Sequence, residues 1–161
     1  MQNLSELTRR LISSEAEFVL VGGFAAVAHG VTLVTRDLDI CCRFSEANLM
    51  RIQKAFADLH PVHRSRPDLP LQLNPEQCAS LKNLYLKTDL GIVDCLSEIL
   101  GVGSFEEVFK HSVEVELPYG KCRIIDLDAL IRAKEAMNRD HDIITVKYLK
   151  EIQKTAEPKL I

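Results

Sequence analysis

Residues 18–42 read Phe-Val-Leu-Val-Gly-Gly-Phe-Ala-Ala-Val-Ala-His-Gly-Val-Thr-Leu-Val-Thr-Arg-Asp-Leu-Asp-Ile-Cys-Cys. Phe18–Val21 is a short apolar run that stops at Gly22-Gly23, as a buried strand does when it enters a tight turn. The Ala-rich stretch from Phe24 to His29, closed by Gly30, predicts a brief helix with a glycine at its end. Thirteen residues separate Gly23 from Asp37, and from there Leu38, Ile40 and Cys42 alternate with Asp37, Asp39 and Cys41. Period two predicts a second strand with both carboxylates on one face.

The glycines leave room for backbone amides to approach a phosphate closely, although a tight strand-to-helix turn explains them equally well. The two acids are more specific. Carboxylates at i and i+2 of a strand stand about 7 Å apart between alpha carbons and can share hard cations. Without a cation they raise one another's pKa and cost stability, so folding alone is a poor reason to place them beside Leu38 and Ile40. A third acid, Asp94, lies in the otherwise apolar run Gly91-Ile92-Val93-Asp94-Cys95-Leu96. A charge in such a strand calls for a partner. Taken alone it could face water from an edge strand; beside Asp37 and Asp39 it reads as the remaining ligand of a two-ion site.

Outward from this segment, Leu4, Leu7 and Leu11 predict an opening amphipathic helix ending near Ser13-Ser14. Ser45 can cap a helix whose apolar face is Leu49, Ile52, Phe56 and Leu59. Pro61, Pro67, Pro70 and Pro75 concentrate in one stretch, read as a loop with a short extended piece at Pro61–His63. Asn74-Pro75 reads as a helix cap and first turn. Leu84–Leu86 and Gly91–Leu96 predict paired strands, and Val113–Leu117 with Lys121–Ile125 a hairpin around Pro118-Tyr119-Gly120. Ser104 and Glu107 match a capping box. The tail from Leu127 to about Lys154 is helical, broken near Asn138–Asp140. The expectation is an α/β (α+β) fold: one domain over 1–161, with a mixed sheet of about five strands flanked by helices in 17–125 and a helical part at 126–155.

The 161 residues are 47% hydrophobic with a formal net charge of −3. That is core enough to fold without disulfides or a structural metal, and it excludes a strongly basic nucleic-acid coat protein. No apolar run reaches the length of a membrane helix and no signal-peptide core is present, so the chain reads as cytoplasmic. Five cysteines, Cys41, Cys42, Cys78, Cys95 and Cys122, show no CxxC spacing and fit buried reduced thiols. Between Asp89 and Leu117 seven acids face a single base, Lys110, whereas the residues after Leu117 are net basic. The acidic stretch suits a divalent cation or simply a solvated face.

Gly22-Gly23, the short helix ending His29-Gly30, Thr35-Arg36-Asp37-Leu38-Asp39-Ile40 and the later strand aspartate resemble the DNA polymerase β-type nucleotidyltransferase superfamily. Within it they are most similar to the minimal bacterial nucleotidyltransferases related to toxins of type IV toxin-antitoxin (abortive infection) systems. The resemblance spans about residues 17–150. It implies an enzyme with two Mg²⁺ ions, or Mn²⁺ in their place, that moves a nucleoside monophosphate from an NTP such as ATP to a hydroxyl acceptor and releases pyrophosphate. Asp37 and Asp39 would bind both ions, and Asp94 would hold the ion that activates the acceptor and take its proton. Gly22, Gly23, Arg36 and Lys134 would contact the nucleotide.

Many such enzymes carry a lysine and then Arg-x-Lys-Asp near the triphosphate; here Lys134, Arg139, His141 and Asp142 match, with His141 in the lysine's place. Lys134 suits phosphate oxygens as a point charge, or is a solvated helix lysine. Arg36 faces the nucleotide or projects to the opposite side. His29 touches the nucleotide or supports the loop, and Arg64 and Arg66 contact the acceptor or ride on a mobile basic loop. A dinucleotide-binding fold is disfavoured because GxGxxG is absent and the acids come too early. A catalytically silent nucleotide-binding or toxin-antitoxin interaction module is the competing reading, against which stands the presence of all three acids. The acceptor could be RNA such as tRNA, a protein or a small molecule; a cognate antitoxin and a homodimer partner are further expectations.

Overall fold

The computed structural model describes residues 2–156, so positions 1 and 157–161 of the expected domain lie outside the described residues. Helix α1 (Leu4–Ser13) is capped by Asn3, whose side chain accepts from Glu6 N, and buries Leu7 and Leu11 completely. Strand β1 (Phe18–Val21) is buried along its whole length. Helix α2 (Gly22–Ala28) starts at the glycine pair itself rather than after it. Strand β2 (Asp37–Cys42) follows, and then α3 (Glu46–Ala55), capped by Ser45 accepting from Asn48 N. Leu49, Ile52, Phe56 and Leu59 are all buried, as their spacing predicts.

In the proline-rich stretch the short extended piece expected at Pro61–His63 is present, whereas the segment from Arg66 departs from the loop expected of it. It forms β3 (Val62–His63) and β4 (Arg66–Pro70), paired antiparallel. β4 is the outermost strand, with every residue exposed. An edge strand needs few outward N–H groups, so Pro67 and Pro70 fit there although they would break a central strand. Helix α4 (Pro75–Ser80) carries a full capping box between Asn74 and Gln77. Strands β5 (Asn83–Thr88) and β6 (Gly91–Leu96) pair antiparallel around Asp89-Leu90. Two strands too short to leave a periodic signal, β7 (Glu98–Ile99) and β8 (Gly103–Ser104), form a separate pair before α5 (Phe105–Lys110), which Ser104 caps. The hairpin of β9 (Ser112–Leu117) and β10 (Gly120–Ile125) then leads to α6 (Leu127–Met137) and α7 (Asp140–Ala156), separated at Asn138.

Among the described residues the main sheet has eight strands in the order β4-β3-β5-β6-β2-β1-β10-β9, wider than the five or so expected. It is mixed: β2 runs parallel to β6 and antiparallel to β1, and β1 runs parallel to β10. β2 therefore lies inside the sheet. Leu38 and Ile40 on one of its faces are fully buried, while Asp37 and Asp39 on the other are half-buried. All five cysteines are buried and free. Among the described residues no helix is long and apolar enough to cross a membrane.

Candidate active site

The parallel pairing of β2 with β6 sets Asp39 directly beside Asp94 and Asp37 beside Ile92. Neighbours in register on adjacent strands stand ~4.8 Å apart and point the same way, so the three acids share one face. Asp39 responds to this crowding. Burial first, then the charges of Asp94 and Asp37, push its pKa up to about 6, with Lys134 and Arg139 opposing. Asp94 is also raised, by burial, although Arg64 pulls against the shift.

The glycine pair seats the acids. Gly22 holds φ +67°, and a Cβ there would come within 2.3 Å of Asp39 Oδ2. A Cβ on Gly23 would meet Thr35 Oγ1 at 2.7 Å. Thr35 in turn donates to the Asp37 carbonyl at 3.3 Å, and Gln2 Nε2 donates to the Arg36 carbonyl at 2.5 Å. Only a residue without a side chain lets the acid strand lie this close to the start of α2.

A cleft of about 430 Å³ opens over these residues, lined on one side by Gly23, Arg36, Asp37 and Asp39 and on the other by Lys134, Arg139 and His141. Arg36 is among the residues that line the acids' cleft. Lys134 is no solvated surface lysine: only 12% of its side chain is exposed. The basic wall is organised by Asp142, which is fully buried. Its carboxylate accepts from Arg139 N at 3.1 Å and from Arg139 Nε at 2.6 Å. Lys134 Nζ stands 3.5 Å and His141 Nε2 3.7 Å from its Oδ1. Burial works to raise the Asp142 pKa, but the Arg139 hydrogen bonds and the Lys134 charge outweigh it and hold the group below its ordinary value.

Asp94 does not line this cleft. Its Oδ2 accepts from Arg64 Nη1 at 3.0 Å, and its Oδ1 is buried without a hydrogen-bond partner. Arg64 also lies over the Tyr85 ring, 5.0 Å from the centroid. Among the described residues no three His, Cys, Asp or Glu side chains are gathered into one closed ligand set. The residues nevertheless suit a divalent cation: hard oxygen donors, an orphaned buried carboxylate oxygen, and an acid whose ionisation is costly until a positive charge arrives.

Other expected contacts lie elsewhere. His29 Nε2 stands 2.7 Å from the Ile125 carbonyl on β10, which makes it a support of that strand. Arg66 is exposed and pairs with Asp68 at 3.5 Å, apart from the acids. A larger cavity of about 570 Å³, between Phe18, Arg43, Phe105 and Arg123, shares no residue with the acid cleft. No sequence signal gave Tyr85 a role, and Thr35 entered only as part of the motif Thr35–Ile40. The alternation of β5 between exposed and buried residues marks Tyr85 as outward-facing, but not what it faces.

The chain has an α/β fold, a mixed sheet flanked by helices with two helices at its C-terminal end, and this fold is shared with a solved structure. The crystal structure of a candidate nucleotidyltransferase from Thermotoga maritima superposes on it with a TM-score of 0.58, covering 92% of this chain and 91% of that one at 18% identity. No family model and no curated protein sequence matches the chain.

Proposed function

We propose that the protein is a nucleotidyltransferase that moves a nucleoside monophosphate from an NTP to a hydroxyl acceptor with release of pyrophosphate. The reading rests on one observation: Asp37 and Asp39 stand on one wall of a cleft whose other wall is Lys134, Arg139 and His141. Acids for cations and bases for phosphate oxygens are what a triphosphate needs on its two sides. Asp37, Asp39 and Asp94 would hold two Mg²⁺ ions, or Mn²⁺, which supply charge neutralisation of the triphosphate and activation of the attacking oxygen.

The chain's own residues define the remainder. Asp142 fixes the Arg139 guanidinium and draws in Lys134, so the positive wall is set before substrate arrives. Arg36 lines the cleft beside Asp37. In the transfer the acceptor oxygen forms a bond to the α-phosphorus as the bond to the bridging oxygen of the leaving pyrophosphate breaks. The acceptor's proton passes to Asp94, whose Oδ1 is unpartnered and whose pKa is already raised by burial.

The test is incubation with each α-labelled NTP, Mg²⁺ and candidate acceptors (tRNA, total protein, aminoglycosides), beside Asp39→Asn. Label transfer by the wild type alone is expected. No transfer by either protein, with equal nucleotide affinity in both, would favour a silent binding module. A toxin-like role, with a cognate antitoxin as partner, predicts that induced wild type arrests growth and Asp39→Asn does not.

A further inference from the structure

The acid-bearing face does not end at Asp94. Antiparallel pairing of β5 with β6 puts Tyr85 beside Asp94 and Lys87 beside Ile92. Two rows therefore run from the cleft toward the sheet edge, Asp39-Asp94-Tyr85 and Asp37-Ile92-Lys87, at ~4.8 Å per strand. Tyr85 is 40% exposed, and Arg64, carried by the turn after β3, ties the ring to Asp94 by lying over it while donating to Oδ2. Lys87 is exposed and makes no ion pair among the described residues. Asp94, Tyr85 and Lys87 line none of the cavities of about 570, 430 and 360 Å³.

Each feature narrows the ligand. An aromatic ring with an adjoining guanidinium is the pair of side chains on which nucleobases stack, and a free lysine one row away suits a phosphate. We infer that Tyr85 and Arg64 form a stacking platform for the acceptor, and that the acceptor is a nucleoside whose hydroxyl lies over Asp94 while a neighbouring phosphate reaches Lys87. This deepens the nucleotidyltransferase reading and rests on it for the word acceptor; the platform itself rests on geometry.

A nucleoside can come as a free nucleotide or as the end of a strand. The probes are a fluorescein-labelled ten-residue oligoadenylate RNA, followed by anisotropy against the full chain, and unlabelled AMP as competitor. Wild type and Tyr85→Phe are expected to bind alike, and Tyr85→Leu about tenfold more weakly, the scale of one lost base–aromatic stack. Lys87→Gln should reduce the dependence of log affinity on log salt by about one phosphate contact; Lys87 is exposed, so this variant keeps the test alive if Tyr85→Leu fails to fold. Displacement by AMP identifies a free nucleotide as the source, and resistance to AMP identifies a strand end. Binding of neither probe, or equal binding by wild type, Tyr85→Leu and Lys87→Gln, overturns the platform. ATP titration of the wild type separates the two readings: oligonucleotide binding that depends on Tyr85 without ATP binding would overturn nucleotidyl transfer and leave the platform standing.

Discussion

Replacing Asp39 by asparagine should make the cation-free protein more stable, and the gain should depend on pH. The Asp39 pKa is 3.8 ordinarily and about 6 in the fold, because burial and the charges of Asp94 and Asp37 disfavour the carboxylate. Between these values the native state binds more protons than the unfolded chain, so stability falls as pH rises from about 4 to 6 and stays reduced above. At ~1.36 kcal/mol for each tenfold change in proton affinity, the loss at pH 8 is about 3 kcal/mol. Asparagine never ionises and avoids it. For a chain of this length that corresponds to a midpoint about 6–12 °C higher. The assay is thermal unfolding of both proteins at pH 4 and pH 8 in low salt with a chelator. Asp39→Asn should exceed wild type at pH 8 and match it at pH 4. Adding Mg²⁺ at pH 8 should raise the wild type and leave the variant unchanged, since a ligand stabilises only the state that binds it. Equal stability at pH 8, or the same increment at both pH values, would refute the reasoning.

Gly22→Ala should cost about 1–2 kcal/mol in urea unfolding, because φ +67° is unfavourable for an L-residue, and should abolish Mn²⁺ binding by calorimetry because the new Cβ displaces the Asp39 carboxylate. Asp142→Asn should destabilise by about 1.5–3 kcal/mol, the range for charge-assisted hydrogen bonds, and weaken ATP binding as Arg139 and Lys134 lose their anchor; unchanged ATP affinity would separate Asp142 from the cleft. The native thiols should resist a disulfide reagent at pH 8, with Cys41 pushed up to about 12 and Cys122 to about 11 by burial, and all five should react in denaturant. Rapid labelling of two or more in the native state would contradict the buried core.

The strength of the local signals decided what could be read from the chain. Asp37-Leu38-Asp39-Ile40 shows its strand and its acid face because alternation is a property of consecutive residues, and Asn74-Pro75 and Ser45 mark helix starts for the same reason. The β4 strand was hidden because its prolines speak for a loop until the sheet supplies an edge that tolerates them. Pairing and register belong to another level. Asp39 and Asp94 are 55 positions apart in a chain whose local pattern is the same whatever the offset between β2 and β6. A slip of one residue would turn Asp94 to the opposite face.

By itself, then, the sequence determined that two strands carry three acids among apolar neighbours and that helices follow at the C-terminus. Only the tertiary structure decided that those acids share a face, that Asp142 draws Lys134 and Arg139 into the opposite wall, and that Arg64 and Tyr85 continue the site toward the sheet edge. The physical reason is that periodicity is set by bonded neighbours, whereas a site is set by which buried surfaces pair, and that is settled by the whole core at once.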